Sequence, residues 1–123
     1  MKKNEVRVGN LVSVNGSDYL CYITKIDIAH ATVSRDGEVY ILASWTDLYG
    51  VPVTEEIIKD LGWINLKEGE EGKMPFGIGH GLTDNNFYAI LGDFYILIEF
   101  VHELQNVYFM VEKEELDVSK LLK

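Results

Sequence analysis

Three histidines, one cysteine and a glycine-alternating stretch have the strongest claim to chemistry in this chain. A histidine titrates near neutral pH and can serve as base or metal ligand. Yet His30, His80 and His102 do not stand at ligand spacing from one another, from Cys21 or from a carboxylate cluster, so no metal or other cofactor is expected. General-base work would also require a positioned nucleophile or water. His102, at the head of an apolar helical seam, reads more simply as a hydrogen-bond partner for a strand carbonyl. Cys21 lies in the apolar run Tyr19 to Ile23, with no basic neighbour or paired histidine to favour its thiolate, and should pack as a small hydrophobe.

Gly77-Ile78-Gly79-His80-Gly81 has glycines like those of phosphate-cradling loops. It lacks the lysine, the following Ser or Thr and the strand-to-helix order that make such loops work. Close backbone approach, a bulge or a turn accounts for alternating glycines in a strand-like stretch. Should a small nucleotide-like ligand bind, Gly77, Gly79, His80, Gly81 and the nearby Asn85 are the residues to hold it. The chain also has seven tyrosines, five phenylalanines and two tryptophans. Packing accounts for most of these aromatics, and Trp45, Tyr49 and Trp63 form the expected protein-binding face if part of the set is exposed.

Charge narrows the partners. Twenty acidic against eleven basic residues in 123 give a formal charge of −9, which repels phosphate backbones and anionic lipid. Nucleic acid is therefore not an expected partner. The carboxylates are scattered as Glu55-Glu56, Glu68 to Glu71 and Glu112 to Glu115, without the long runs of an acidic decoy. No apolar stretch follows the basic N-terminus and none is long enough to span a bilayer, so a soluble, cytoplasmic protein without membrane attachment is expected.

The elements that position these residues follow from periodicity. Val8 to Val14, Tyr19 to Ile26, Ala31 to Val33 and Val39 to Ala43 are β-prone and separated by turn formers, notably Asn15-Gly16 and Asp36-Gly37. About five short antiparallel strands with one apolar face should curl on themselves, giving an SH3-like β-barrel over residues 1–53. Val53 to Gly62 reads as a two-turn helix capped by Thr54, with Val53 and Ile58 as a hydrophobic staple and Gly62 just past its end. Pro52 marks the exit from the barrel, and Lys67 to Lys73, without an apolar residue, should be a solvated loop. Phe87 to Leu91 and Phe94 to Phe100 form a hairpin about Gly92-Asp93. The unbroken apolar run Tyr95 to Ile98 suggests cover on both faces. From His102 to Met110 the apolar residues recur at spacings of three and four, so a helix should close the core, with Glu103, Gln105 and Asn106 facing outward or capping local backbone. Leu116 and Leu121-Leu122 can dock in a continued or a second short helix.

The order Arg7-Val8-Gly9-Asn10-Leu11-Val12, then Pro52 to Glu56 with Leu61-Gly62-Trp63, then Val101-His102-Glu103-Leu104-Gln105-Asn106-Val107-Tyr108-Phe109 resembles a family of small uncharacterised proteins from phages, prophages and conjugative elements of Bacteroides-type bacteria. The resemblance covers nearly the whole chain. Its most distinctive segment reads Tyr-Val-His-Gln-Leu-Gln-Asn-Leu-Tyr-Phe in the relatives, so Phe100 and Glu103 are among the departures here. The resemblance implies genomic company and no catalytic residue. The expectation is an α+β protein: the SH3-like barrel, then a 54–123 subdomain of short helix, hairpin or small antiparallel sheet and C-terminal helix. Its expected role is non-enzymatic protein binding, to a host factor or to itself as a dimer, with sequestration of a small nucleotide in an anti-defence role as the alternative.

Overall fold

A computed structural model describes residues 1–63, 74–81 and 84–122; the loop expected from Lys67 to Lys73 lies outside them. The fold is α+β, with two antiparallel sheets and a C-terminal helix. Strands β1 (Leu11–Val14), β2 (Leu20–Ile26), β3 (His30–Ser34), β4 (Tyr40–Ser44) and β5 (Leu48–Tyr49) form the first sheet in the order β4-β3-β2-β1-β5. Helix α1 (Glu55–Asp60) leads to the second sheet, β6 (Gly77–His80), β7 (Phe87–Leu91) and β8 (Phe94–Ile98), in the order β6-β7-β8. Helix α2 (Val101–Glu112) follows directly.

Turn chemistry sets the meander. Asn15 and Gly16 both adopt positive φ, at 57° and 69°, and the Ser17 N–H donates to the Val14 carbonyl at 3.1 Å, as a type I′ turn requires. At the β3–β4 turn the Asp36 carboxylate accepts from the Glu38 and Val39 amides at 2.8 and 3.0 Å, and these bonds hold it below the usual carboxylate range. Between β4 and β5 the chain turns through a short 3₁₀ segment, Trp45–Asp47. Among the described pairings β4 and β5 do not join, so the sheet is open and is not the closed barrel of the sequence-based expectation. It nevertheless hides one face. Val12, Cys21, Ile23, Ala31, Val33, Ala43 and Leu48, drawn from all five strands, share one buried cluster with Val6 and Trp45.

The opposite face of β1 and β2 joins a second cluster. Leu11, with Leu20 and Tyr22, packs with Ile58, Trp63, Phe76, Ile78, Phe87, Ala89, Ile98, Leu104 and Val107. Strand alternation explains the division, because Leu11 and Val12 are neighbours and point to opposite faces. The second cluster thus extends from the first sheet to the second sheet and both helices.

Helix α1 is short and sustained by its ends. Thr54 Oγ1 accepts from the Ile57 amide at 3.2 Å. At the other end the Gly62 and Trp63 amides donate to the Lys59 and Ile58 carbonyls at 3.0 and 3.2 Å, the paired bonds of a Schellman motif, with Gly62 at φ 115°. Ile58 and Trp63 meet in the core, which supplies the hydrophobic contact of that motif. Pro52 does leave the sheet, forming an isolated antiparallel bridge with Phe100. The bonds there run from Val53 N to Glu99 O and from Val101 N to Val51 O, so proline's missing N–H costs nothing. Beside it, a Cβ on Gly50 would stand 2.6 Å from the Phe100 ring, so only glycine fits that position.

Helix α2 departs from expectation on its polar side. Its apolar face, Val101, Leu104 and Val107, enters the second cluster. Gln105, however, is only 1% exposed and turned inward. Its Oε1 accepts from the Leu11 amide at 2.7 Å and its Nε2 donates to the Gly9 carbonyl at 3.0 Å, replacing a strand partner at the start of β1. Buried Asn10 donates to Asn106 Oδ1 at 2.8 Å and accepts from the Arg7 amide at 2.9 Å. Arg7 lies over the Phe109 ring at 4.3 Å and pairs with Glu115 at 2.5 Å. An apolar periodicity cannot reveal such a polar dock. Glu103 stays local: its carboxylate accepts from the Glu99 and Phe100 amides at 2.8 and 2.9 Å. A glutamine oxygen accepts equally well there.

Lys113 ends α2 in the left-handed conformation, φ 60°, and the tail folds back with Leu116 and Val118 buried. A second short turn, Ser119–Leu122, is therefore the form the tail takes, with Leu121 and Leu122 against the core. Two substitutions test this assembly by urea unfolding. Gln105→Leu strands a backbone donor and an acceptor and should lower stability by ~2–4 kcal/mol, and Gln105→Glu should also destabilise because a carboxylate cannot donate to Gly9. Lys113→Gly should raise stability by ~0.5–1 kcal/mol as the left-handed strain is relieved.

Candidate functional site

The structure does not bring the three sequence-designated aromatics together on a surface. Trp45 is buried in the first cluster, its indole N–H donating to the Asp27 carbonyl at 2.9 Å. Trp63 is buried in the second, donating to the Phe76 carbonyl at 2.8 Å and packing on that ring at 5.4 Å. Each indole has an internal acceptor, so the large ring can be buried without stranding its polar edge. Only Tyr49 is exposed, at 51%. It borders a groove of about 520 Å³ whose walls include Ser13, Leu20, Val51, Ile57 and Leu121.

The glycine stretch is a strand. Gly77 to His80 pairs with Ile90 to Phe87 as β6, and no helix N-terminus follows it. Gly79 leaves room for Ile90, whose Cδ1 would lie 3.2 Å from an added Cβ. His80 stacks on Phe87, centroids 4.6 Å apart. Gly81 donates to the Asn86 carbonyl at 2.7 Å, and a Cβ there would collide with the Asp84 carboxylate. Asp84 accepts from the Tyr88 hydroxyl at 2.5 Å and the Asn86 amide at 3.0 Å, and these bonds, the hydroxyl first, lower its pKa. Asn85 turns the loop at φ 57°. A carboxylate set against Gly81 gives this loop the wrong charge for phosphate.

Among the described residues no three His, Cys, Asp or Glu side chains converge as a metal site would need. Cys21 is buried, and desolvation raises its thiol pKa, which favours the unreactive form. His102 is 3% exposed, lies parallel to the Phe100 ring at 5.6 Å, and has no partner for Nδ1. The expected hydrogen bond from His102 to a strand carbonyl is not made at this nitrogen.

The surface that sequence reasoning missed is the outer face of the second sheet. Cross-strand pairs Tyr88–Leu97 and Ile90–Tyr95 place four apolar side chains together, beside Gly79 and Gly77 on β6. Tyr95 is 69% exposed, Leu97 40%, and Phe94 at the hairpin end 75%. The run Tyr95 to Ile98 suggested two covered faces, yet only Ile96 and Ile98 turn inward. A fully covered strand and a one-sided strand with an apolar outer face look alike in sequence.

No family model, curated protein or solved structure matches the chain. No helix is long and apolar enough to cross a membrane among the described residues.

His102 supplies a pH test. Burial lowers its pKa, against the weaker raising effect of Glu103 and Glu5. Between that lowered value and the unfolded value of about 6.5 the unfolded chain binds more protons, so this contribution to stability is full above about pH 6.5 and declines as pH falls toward the folded value. Thermal unfolding of the wild type should therefore lose more stability between pH 7.5 and 5.5 than that of His102→Phe. Parallel pH profiles would contradict the assignment.

Proposed function

We propose that this protein is a non-enzymatic protein-binding module, encoded by a mobile element as the resemblance of its motifs implies. The observation that carries the reading is the outer face of the second sheet, where Tyr95 and Leu97 expose apolar surface beside their cross-strand partners Ile90 and Tyr88. Contiguous exposed apolar surface on a small protein is a feature of interaction sites. The cost of leaving aromatic residues in water is offset when a partner covers them, and large side chains contribute most to such contacts. Exposed apolar residues of the first sheet have polar neighbours across the strands, Tyr40 and Leu42 of β4 beside Ser34 and Thr32 and Tyr49 of β5 beside Ser13, and so form no comparable apolar field.

The first sheet is, on the same proposal, an SH3-like partial barrel. Support comes from the order β4-β3-β2-β1-β5, the 3₁₀ turn between β4 and β5, and the single cluster fed by all five strands. In this reading it is the platform and the second sheet is the contact surface.

The test is capture from the lysate of a Bacteroides-type host on immobilised protein. Wild type and Leu42→Ser should retain the same specific protein, and the double variant Tyr95→Ser, Leu97→Ser should lose it while keeping its circular dichroism spectrum. Equal capture by all three, or no specific capture by wild type, contradicts the reading.

A further inference from the structure

The groove beside Tyr49 is walled by four parts of the chain: the β1–β2 hairpin, β5 with the segment after it, helix α1 and the last turn, Ser119–Leu122. Its volume of about 520 Å³ falls in the range of small-molecule sites. Leu20, Val51, Ile57 and Leu121 belong to the second cluster or pack against it, and give the groove an apolar wall. The β1–β2 turn supplies the polar wall. Tyr49 leans against that turn, its nearest ring carbon 3.8 Å from where a Cβ on Gly16 would stand.

The polar wall is a set of acceptors. Ser13 Oγ donates to the Ser17 carbonyl at 2.5 Å and Ser17 Oγ donates to the Val14 carbonyl at 2.6 Å. Each hydroxyl has only one proton, so both keep lone pairs for a ligand but have no donor to offer it. Asp18 is exposed and is the one ionised side chain in the lining. Other turn aspartates are used by the fold: Asp36, Asp84 and Asp117 accept backbone amides in their own turns at 2.8, 3.0 and 2.9 Å. Asp18 is not used in this way. The Ser17 hydroxyl fastens its turn instead, accepting from the Tyr19 amide at 3.1 Å, and Asp18 enters no ion pair among the described residues. No lysine or arginine is in the lining, and Arg35, which lies over the Tyr19 ring at 5.7 Å, is directed to the Leu122 carbonyl.

A carboxylate, spare lone pairs and an aromatic ring together suit a cation, and an apolar wall suits hydrocarbon. We infer that this groove binds a small organic ammonium ion, with its charged nitrogen on the Asp18 and Tyr49 side and its apolar body against Leu20, Val51, Ile57 and Leu121. The charge it selects is opposite to that of a nucleotide. The site shares no residue with the outer face of the second sheet, so it stands or falls independently of the protein-binding reading.

The probe is phenethylamine, cationic at neutral pH, titrated at low salt into isotope-labelled protein with the amide resonances followed by NMR. Shifts should concentrate at Gly16, Leu20, Val51 and Ile57 and saturate at millimolar concentration. Asp18→Asn should weaken binding of the amine roughly threefold, as expected for one exposed ion pair, and leave phenethyl alcohol unaffected. Hydrocinnamate, which sets a negative charge on a similar body, loses that attraction and meets repulsion, so it should bind roughly tenfold more weakly than the amine. Methylammonium, which has no apolar body, should not saturate. Equal binding of phenethylamine and hydrocinnamate, or an Asp18→Asn variant that binds the amine as the wild type does, overturns the site. So do shifts that miss the groove amides, or no shifts at millimolar amine. Tighter binding of an end-blocked Leu-Lys-Leu peptide than of phenethylamine also overturns it, by giving the groove to a polypeptide.

Discussion

The structure depends on one side chain acting as backbone. β1 begins at Leu11, and its first amide and the preceding Gly9 carbonyl find partners in the Gln105 carboxamide. A buried amide left unpaired costs about as much as several favourable contacts return, so the start of β1 and helix α2 must be placed together. Around this pair the Asn10–Asn106 bond and the Arg7 contacts to Phe109 and Glu115 extend the joint to the surface. Leu11 continues it inward, into the cluster shared with Leu104 and Val107. The joint is polar at its rim and apolar at its centre.

This joint also explains why separate parts of the sequence pattern belong together. Arg7, Gly9 and Asn10 near one end of the chain and Gln105, Asn106 and Glu115 near the other are made neighbours by the fold. Their polar character would suit catalysis or ligand binding when read alone. In place, their donors and acceptors are directed at one another and at the backbone. These groups are occupied in holding the fold, and the exposed apolar surface of the second sheet lies apart from them on β7 and β8.

Much of the architecture was legible because it is written in local chemistry. Asn15-Gly16, the Thr54 cap, Gly62 and the Gly92 hairpin each specify backbone geometry within a few residues, and the structure has all four. What could not be read was contact between distant segments. Gln105 and Asn106 look like an outward polar stripe until β1 is set against them. Trp45 and Trp63 look like exposed anchors until Asp27 and Phe76 offer carbonyls to their N–H groups. Tyr95 and Leu97 look buried because apolar composition does not say which faces a neighbour covers. The binding surface was therefore expected at Trp45, Tyr49 and Trp63, whereas among these only Tyr49 is exposed and an exposed apolar field lies on β7 and β8.

The central claim is that the Gln105 joint makes the two sheets one cooperative unit. Native-state hydrogen exchange tests it most directly, by comparing the amides of Val33 in the first sheet, Leu104 in α2 and Leu11 at the joint. The account predicts one common opening free energy for all three, equal to that of global unfolding. Exchange of Leu11 through a low-energy local opening, with Val33 and Leu104 still protected, would contradict it.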